Sequence, residues 1–173
     1  GDWGLMTGRV DYVNDIPAPA HPIPYANTVQ TVTDFIDTQV TASNPFYIWY
    51  APFLPHTPHD PPAGLFNEYK ALGLNDGDAK YYANVERFDG GVGAILDHLD
   101  AQGIADNTIV ILICDNGRSM SRGKNSPYEG GIRTPIIVRW PGRIKAGGSI
   151  EPQIITSPAT LVDMVPTIHD ALN

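Results

Sequence analysis

The sequence predicts an α/β layered fold, and three observations carry that expectation. Aromatic and β-branched runs of strand length, at 46–50, 109–113 and 136–138, alternate with segments whose apolar residues recur every three or four positions. The longest such segment, with Tyr81, Val85, Phe88, Val92, Ile95, Leu96 and Leu99, is the strongest helix signal in the chain. A length of 173 residues with 42% hydrophobic composition fits one domain and a sizeable core.

The elements follow in order. Pro17, Pro19, Pro22 and Pro24 fall within eight residues, so 1–26 reads as an extended arm without regular structure. Val29, Val32, Phe35, Ile36 and Val40 mark one face of a helix over 27–43, which Asn44-Pro45 breaks before the strand at 46–50. Pro52, Pro55, Pro58, Pro61 and Pro62 make the next stretch a rigid loop. Asp78 is the expected N-cap of the long helix, and Gly103 its stop. Gly90, Gly91 and Gly93 inside that helix each cost about 1 kcal/mol against alanine, with close packing on a sheet as the expected compensation. The run at 109–113 suits a strand covered on both faces. After 136–138, Trp140-Pro141-Gly142 turns the chain, and Ser157-Pro158 is read as the cap and first position of a last helix that Pro166 kinks or restarts.

Composition excludes several classes. With 19 acidic against 11 basic side chains, the net charge of −8 argues against nucleic-acid binding, which needs a basic face. One cysteine rules out an internal disulfide or a cysteine-based zinc cluster. No run of about 18 apolar residues is present, so no membrane span is expected. Gly1-Asp2-Trp3-Gly4 is neither a signal peptide nor an initiator methionine, and the chain is expected to be cut from a longer one.

Three places carry residues suited to chemistry. Asp115 and Asn116 follow the apolar strand, where ligand sites of α/β sheets lie, and offer hard oxygen ligands to calcium or magnesium; Asp-Asn-Gly is equally a common turn. Arg118, Arg122 and Lys124 form a local reversal of sign, with no acid over 116–128, which can hold an anionic group or be a solvated loop. His56 and His59 sit on a proline-stiffened loop, where an imidazole can bind an anion or deliver a proton; they can also be plain loop residues. Cys114, at the end of an apolar strand, is expected to be a buried, inert thiol, and His98 a surface residue.

These pieces stand in a particular order: Pro55-His56-Thr57-Pro58-His59, a long helix, an apolar strand with Asp115-Asn116-Gly117, then Gly123 to Pro135, reading Gly-Lys-Asn-Ser-Pro-Tyr-Glu-Gly-Gly-Ile-Arg-Thr-Pro. The last segment resembles the Gly-Lys-Gly…Tyr-Glu-Gly-Gly-x-Arg-x-Pro stretch of the sulfatase family. Trp140-Pro141-Gly142 and Asp163-Met164-Val165-Pro166-Thr167 are similar to that family's later turn and helix. The likeness runs from about residue 46 to the end, with 1–45 matching loosely. It implies that 1–173 is part of a sulfatase catalytic domain, a three-layer α/β sandwich with a mostly parallel, mixed sheet flanked by helices, incomplete in this chain.

The resemblance further implies that Asp115 and Asn116 are half of a Ca2+ site, with Mg2+ the other choice. Lys124 is then expected to contact the sulfate, and His56 to bind the ester and help protonate its leaving oxygen, with His59 a second substrate-binding candidate. The implied substrate is a small-molecule or carbohydrate sulfate ester. The family's nucleophile is a formylglycine made from cysteine or serine in C/S-x-P-x-R. Cys114 and Arg118 have the right separation, but Asn116 stands where proline is required, so Cys114 is not that residue. Formylglycine and a further pair of metal-binding aspartates are therefore expected upstream, and this chain alone is expected to be inactive. The likeness also implies a periplasmic, extracellular or lysosomal location, although the chain has no N-x-S/T sequon. Two alternatives remain at this point: a phosphodiesterase or phosphonate monoester hydrolase of the same superfamily, and a non-catalytic binding protein on the same fold.

Overall fold

The computed structural model describes residues 4–6, 25–145, 147–148 and 150–172. They belong to two compact units, Gly1–Gln102 and Gly103–Asn173. Most of the expected arm, at 1–3 and 7–24, lies outside the described residues.

In the first unit, Gly4–Met6 (β1) pairs in parallel with Phe46–Ile48 (β2), in the register Gly4 to Phe46 and Met6 to Ile48. Regular structure at Gly4–Met6 corrects the expectation of a plain arm, because the partner strand that satisfies it is some 40 residues away in sequence, beyond local pattern. Tyr25–Thr41 (α1) buries Val29, Val32, Thr33 and Ile36, the spacing of one helical face. Phe35 meets Phe46 edge to face, with ring centroids 6.5 Å apart, which joins α1 to β2. The strand ends at Ile48, two residues before the expected end.

Ala63–Ala71 (α2) was not anticipated; Pro62 stands at its N-cap, so the proline run marks its start as well as the loop. Asp76–Ala101 (α3) begins three residues before expectation. Its cap is Asn75, whose side-chain oxygen accepts from the Asp78 backbone N–H at 3.0 Å while its amide donates to the Asp78 carboxylate at 2.7 Å. Asn75→Ala is expected to cost about 1 kcal/mol in a urea melt. Lys70 of α2 hydrogen-bonds Asp76 at 2.8 Å and holds its carboxyl below the usual carboxylate range. That contact therefore stabilises above the ordinary carboxylate pKa and is lost as pH falls through the depressed one.

The α3 helix packs on α1 and α2, through buried Ala79, Ala83, Gly91 and Leu99, rather than on a sheet. Gly91 is thus compensated by close packing, whereas a side chain at Gly93 would meet nothing. His98 is not a free surface residue. It is half-buried, with Nε2 2.7 Å from Asp37 Oδ1, the same oxygen that accepts from Gln102 Nε2 at 2.8 Å, so it clasps α3 to α1. His98→Ala is expected to lower unit stability by about 1 kcal/mol, read by the same melt.

In the second unit, Val110–Ile113 (β3) pairs antiparallel with Ile136–Arg139 (β4), Val110 opposite Arg139 and Ile113 opposite Ile136. The described strands therefore form one parallel and one antiparallel pair, two small sheets rather than a completed layer. The strand at β3 is not covered on both faces: Ile113 is 44% exposed, and Ile137 on β4 is 57% exposed. Glu129–Ile132 (α4) is a single turn within the connection between them. The last helix, Met164–Leu172 (α5), opens through a 3-10 turn at Leu161–Asp163. Its cap is Thr160 and not Ser157: the Thr160 hydroxyl accepts from Val162 N–H and the Asp163 carboxylate accepts from Thr160 N–H at 2.7 Å. Pro166 is the third residue of α5, just past the 3-10 turn that opens it.

Candidate active site

The β-branched run of β3 delivers the chain to Cys114-Asp115-Asn116-Gly117 at its carboxyl end. Cys114 is half-buried, correcting the expectation of a buried thiol: its Sγ lies 3.1 Å from the Asn116 carbonyl and 3.9 Å from Asp115 Oδ1, within the turn. Asp115 is exposed and has no cationic partner among the described residues. Asn116 donates its amide to the Gly117 carbonyl at 2.9 Å, which orients the side chain and leaves its oxygen free. A carboxylate and an amide oxygen on consecutive residues fit a hard cation as two of its six to eight ligands. The described residues contain no group of three or more His, Cys, Asp or Glu that could complete the shell.

This turn is held against the basic loop by backbone meeting backbone. Gly117 N–H donates to the Gly131 carbonyl at 3.0 Å, and a Cβ on Gly117 would lie 1.8 Å from the Gly130 carbonyl oxygen. A Cβ on Gly131 would lie 2.4 Å from the carbonyl oxygens of both Gly123 and Ser126, and one on Gly123 2.1 Å from that of Arg118. Only residues without a side chain fit these seats. Lys124 N–H donates to the Arg118 carbonyl at 2.9 Å, and the Ser126 hydroxyl to the Gly123 carbonyl at 2.6 Å. Arg122 and Asn125, on either side of Gly123-Lys124, have φ of 56° and 66°. The backbone of Lys124 is thereby fixed, and its half-buried side chain has no acidic partner among the described residues.

The three cations of the loop differ in their surroundings. Arg118 is half-buried and already engaged, Arg122 lies over the Tyr128 ring, and Lys124 has no ion-pair partner among the described residues. Asp115, Asn116 and Lys124 thus lie on one unit, on segments tied to each other by backbone hydrogen bonds. The glycines at that junction, Gly117, Gly123, Gly130 and Gly131, escaped sequence reasoning; the Glu-Gly-Gly motif and the density of glycine around it were the available signal.

His56 and His59 belong to the other unit. The exposed His56 ring has Nδ1 2.7 Å from the Thr57 carbonyl; because a carbonyl only accepts, Nδ1 carries the proton and Nε2 is left to act. Its ring packs 4.9 Å from that of Phe53. His59 packs against Tyr81 of α3 at 5.7 Å, and Asp60 beside it meets Arg87 of α3 at 3.6 Å, so the proline loop is anchored to the long helix. An open groove of about 580 Å³, lined by Val29, Thr33, Asp37, Asp97 and His98 among others, contains none of these candidates.

Comparison with known proteins places these features in a family. The sulfatase family model matches residues 6–173. An N-acetylgalactosamine-6-sulfatase of Canis lupus familiaris is 33% identical over 132 residues, covering 69% of this chain and 24% of that protein. An ulvan-active sulfatase of Formosa agariphila is 37% identical over 89 residues, 51% of this chain and 14% of that protein. Among solved structures, Ps i-CgsB superposes with a TM-score of 0.62 at 27% identity, over 72% of this chain and 29% of that one. It is also known in complex with k-i-k-neocarrahexaose. The chain spans roughly a quarter or less of the length of these curated relatives. Its fold is that of the sulfatases' α/β domain, present in part, and the chain belongs to the sulfatase family.

Proposed function

We propose that the full-length protein containing this chain is a sulfuric ester hydrolase that cleaves S–O bonds with the help of a divalent cation. The observation that supports this most is the seating of the Asp115-Asn116 turn against the Lys124 loop through Gly117 and Gly131, since it fixes two oxygen ligands and an unpaired ammonium on one rigid support. Asp115 and Asn116 are proposed to hold calcium, whose role when bound is to polarise the sulfate oxygens. Lys124 then neutralises charge that develops on those oxygens as the ester bond breaks. His56 is proposed to act as the imidazolium, its Nδ1–H donating to the Thr57 carbonyl while its Nε2–H passes a proton to the leaving oxygen, which leaves the ring neutral with its proton on Nδ1. His59, engaged with Tyr81, is the weaker contact.

The 173 residues contain no C/S-x-P-x-R motif, so we assign the formylglycine nucleophile to another part of the protein. Because relatives include proteins named for N-acetylgalactosamine-6-sulfate and ulvan, a sulfated carbohydrate is the proposed substrate class. Turnover of a panel of sulfate and phosphate esters by the full-length protein tests the proposal. Sulfate esters cleaved well ahead of phosphate mono- and diesters support it; the reverse order, or no turnover of either, overturns it. The isolated 173-residue chain is expected to show no turnover of an aryl sulfate, measured by release of the phenol. Chelation is expected to abolish activity of the full-length enzyme, and Asp115→Ala to weaken calcium binding at least about tenfold in titration calorimetry.

A further inference from the structure

We infer that Arg122 and Tyr128 form a second anion subsite next to Lys124, which selects sulfate esters carrying another negative group on the same saccharide frame; this rests on the sulfatase reading above. The guanidinium carbon of Arg122 lies 4.6 Å from the centroid of the Tyr128 ring. Such stacking occupies one face of the planar cation and leaves its N–H edge available for a bidentate contact with a sulfate or carboxylate. Both residues are exposed, Tyr128 by 50%.

Arg122 has no carboxylate partner among the described residues. The nearest acid in sequence, Glu129, is instead paired with Arg133 at 3.3 Å. Arg122 stands on an aromatic platform, two residues from the ammonium proposed to meet the scissile sulfate. Its backbone supports the assignment. A φ of 56° is uncommon for a residue with a side chain, and the hydrogen bonds of Gly123 N–H to Met120 and Lys124 N–H to Arg118 hold it there. The loop thus keeps Arg122 in a conformation that an arginine does not choose for itself, two residues from Lys124 and without a carboxylate partner among the described residues.

The experiment uses the full-length protein with Arg122→Ala, Arg122→Gln and Tyr128→Leu, and three ligands: a monosulfated disaccharide, its disulfated counterpart, and a monosulfated disaccharide containing a uronate. Wild type is expected to favour the two doubly charged ligands. Each variant is expected to raise KM for them by roughly ten- to thirty-fold more than for the monosulfated one, with kcat little affected, as loss of one charge-assisted contact implies. A loss confined to the disulfated or to the uronate ligand identifies which anion the subsite takes and supports the assignment. Equal loss on all three ligands, or none, overturns it. Calorimetric binding of the same ligands is measured in parallel. If no ester is hydrolysed, the sulfatase reading fails while selective loss of binding in the variants still supports the subsite; unselective binding overturns it too. Arg122→Gln, close in length to arginine, keeps the comparison open if Arg122→Ala folds poorly.

Discussion

Replacing Lys124 with alanine in the full-length protein is expected to lower kcat/KM for a sulfate ester by about 10²- to 10³-fold, the loss typical of one preorganised group aimed at developing charge. The lysine has no acidic partner among the described residues, and its backbone is pinned by the Arg118 carbonyl. Arg118 is half-buried and already engaged, and Arg122 lies over the Tyr128 ring. Because Lys124 makes no ion pair among the described residues, its removal is expected to leave the melting temperature nearly unchanged, which separates a chemical role from a structural one. Steady-state kinetics with a thermal melt on the same preparation decide the matter. Activity within threefold of wild type would remove Lys124 from the proposed chemistry.

The second large effect is expected from one added methyl group. Gly117→Ala or Gly131→Ala puts a carbon within 1.8 or 2.4 Å of a carbonyl oxygen, and the obstacle in both cases is backbone, which cannot rotate away as a side chain can. Overpacking of this kind costs about 1–3 kcal/mol and sometimes more. The turn must separate from α4, displacing Asp115 and Asn116 relative to Lys124, so calcium affinity and activity are expected to fall together. The comparison is Gly93→Ala in α3, where a Cβ meets nothing within 4 Å. There the change is expected to be neutral or to stabilise by about 0.5–1 kcal/mol. Denaturant melts and calcium titration on both variants test the contrast. A Gly117→Ala protein that binds calcium as wild type does would show that the seat is not what positions the turn.

What could be read in the sequence depended on whether the information was local. Asp115 and Asn116 were legible because a β-branched run announces a strand, and the residues just past its end are where a sheet presents ligands. Helix α1 was legible because Val29, Val32 and Ile36 repeat at the helical period and are indeed buried. Other features were set by partners far away in sequence. The strand at Gly4–Met6 depends on Phe46–Ile48, and His98 is drawn inward by Asp37, 61 residues distant. The long helix showed its large side chains in the pattern, yet the residues it buries deepest include Ala79, Ala83 and Gly91, too small to register in such a pattern. Caps misled by three positions in each case, since Asn75 and Asp78, or Ser157 and Thr160, are equally good cap residues until the hydrogen bonds are seen. Helix α2 was hidden by the prolines preceding it. Lys124 was found through a motif, but the glycines that seat it act only in three dimensions.

The bond from Gly117 to Gly131 also bears on how much the intervening loop can vary in length. It closes the segment at its base, and the bond from Lys124 to Arg118 closes a smaller ring within it. The tip of that inner ring, at Ser119 and Met120, is exposed. Doubling the length of a flexible loop whose ends are already held costs only about 0.6 kcal/mol. Residues inserted at that tip would enlarge the rim without moving Asp115 and Asn116 on one side or Lys124 on the other. The glycine seat is thus a fixed hem, above which chain length is free to change.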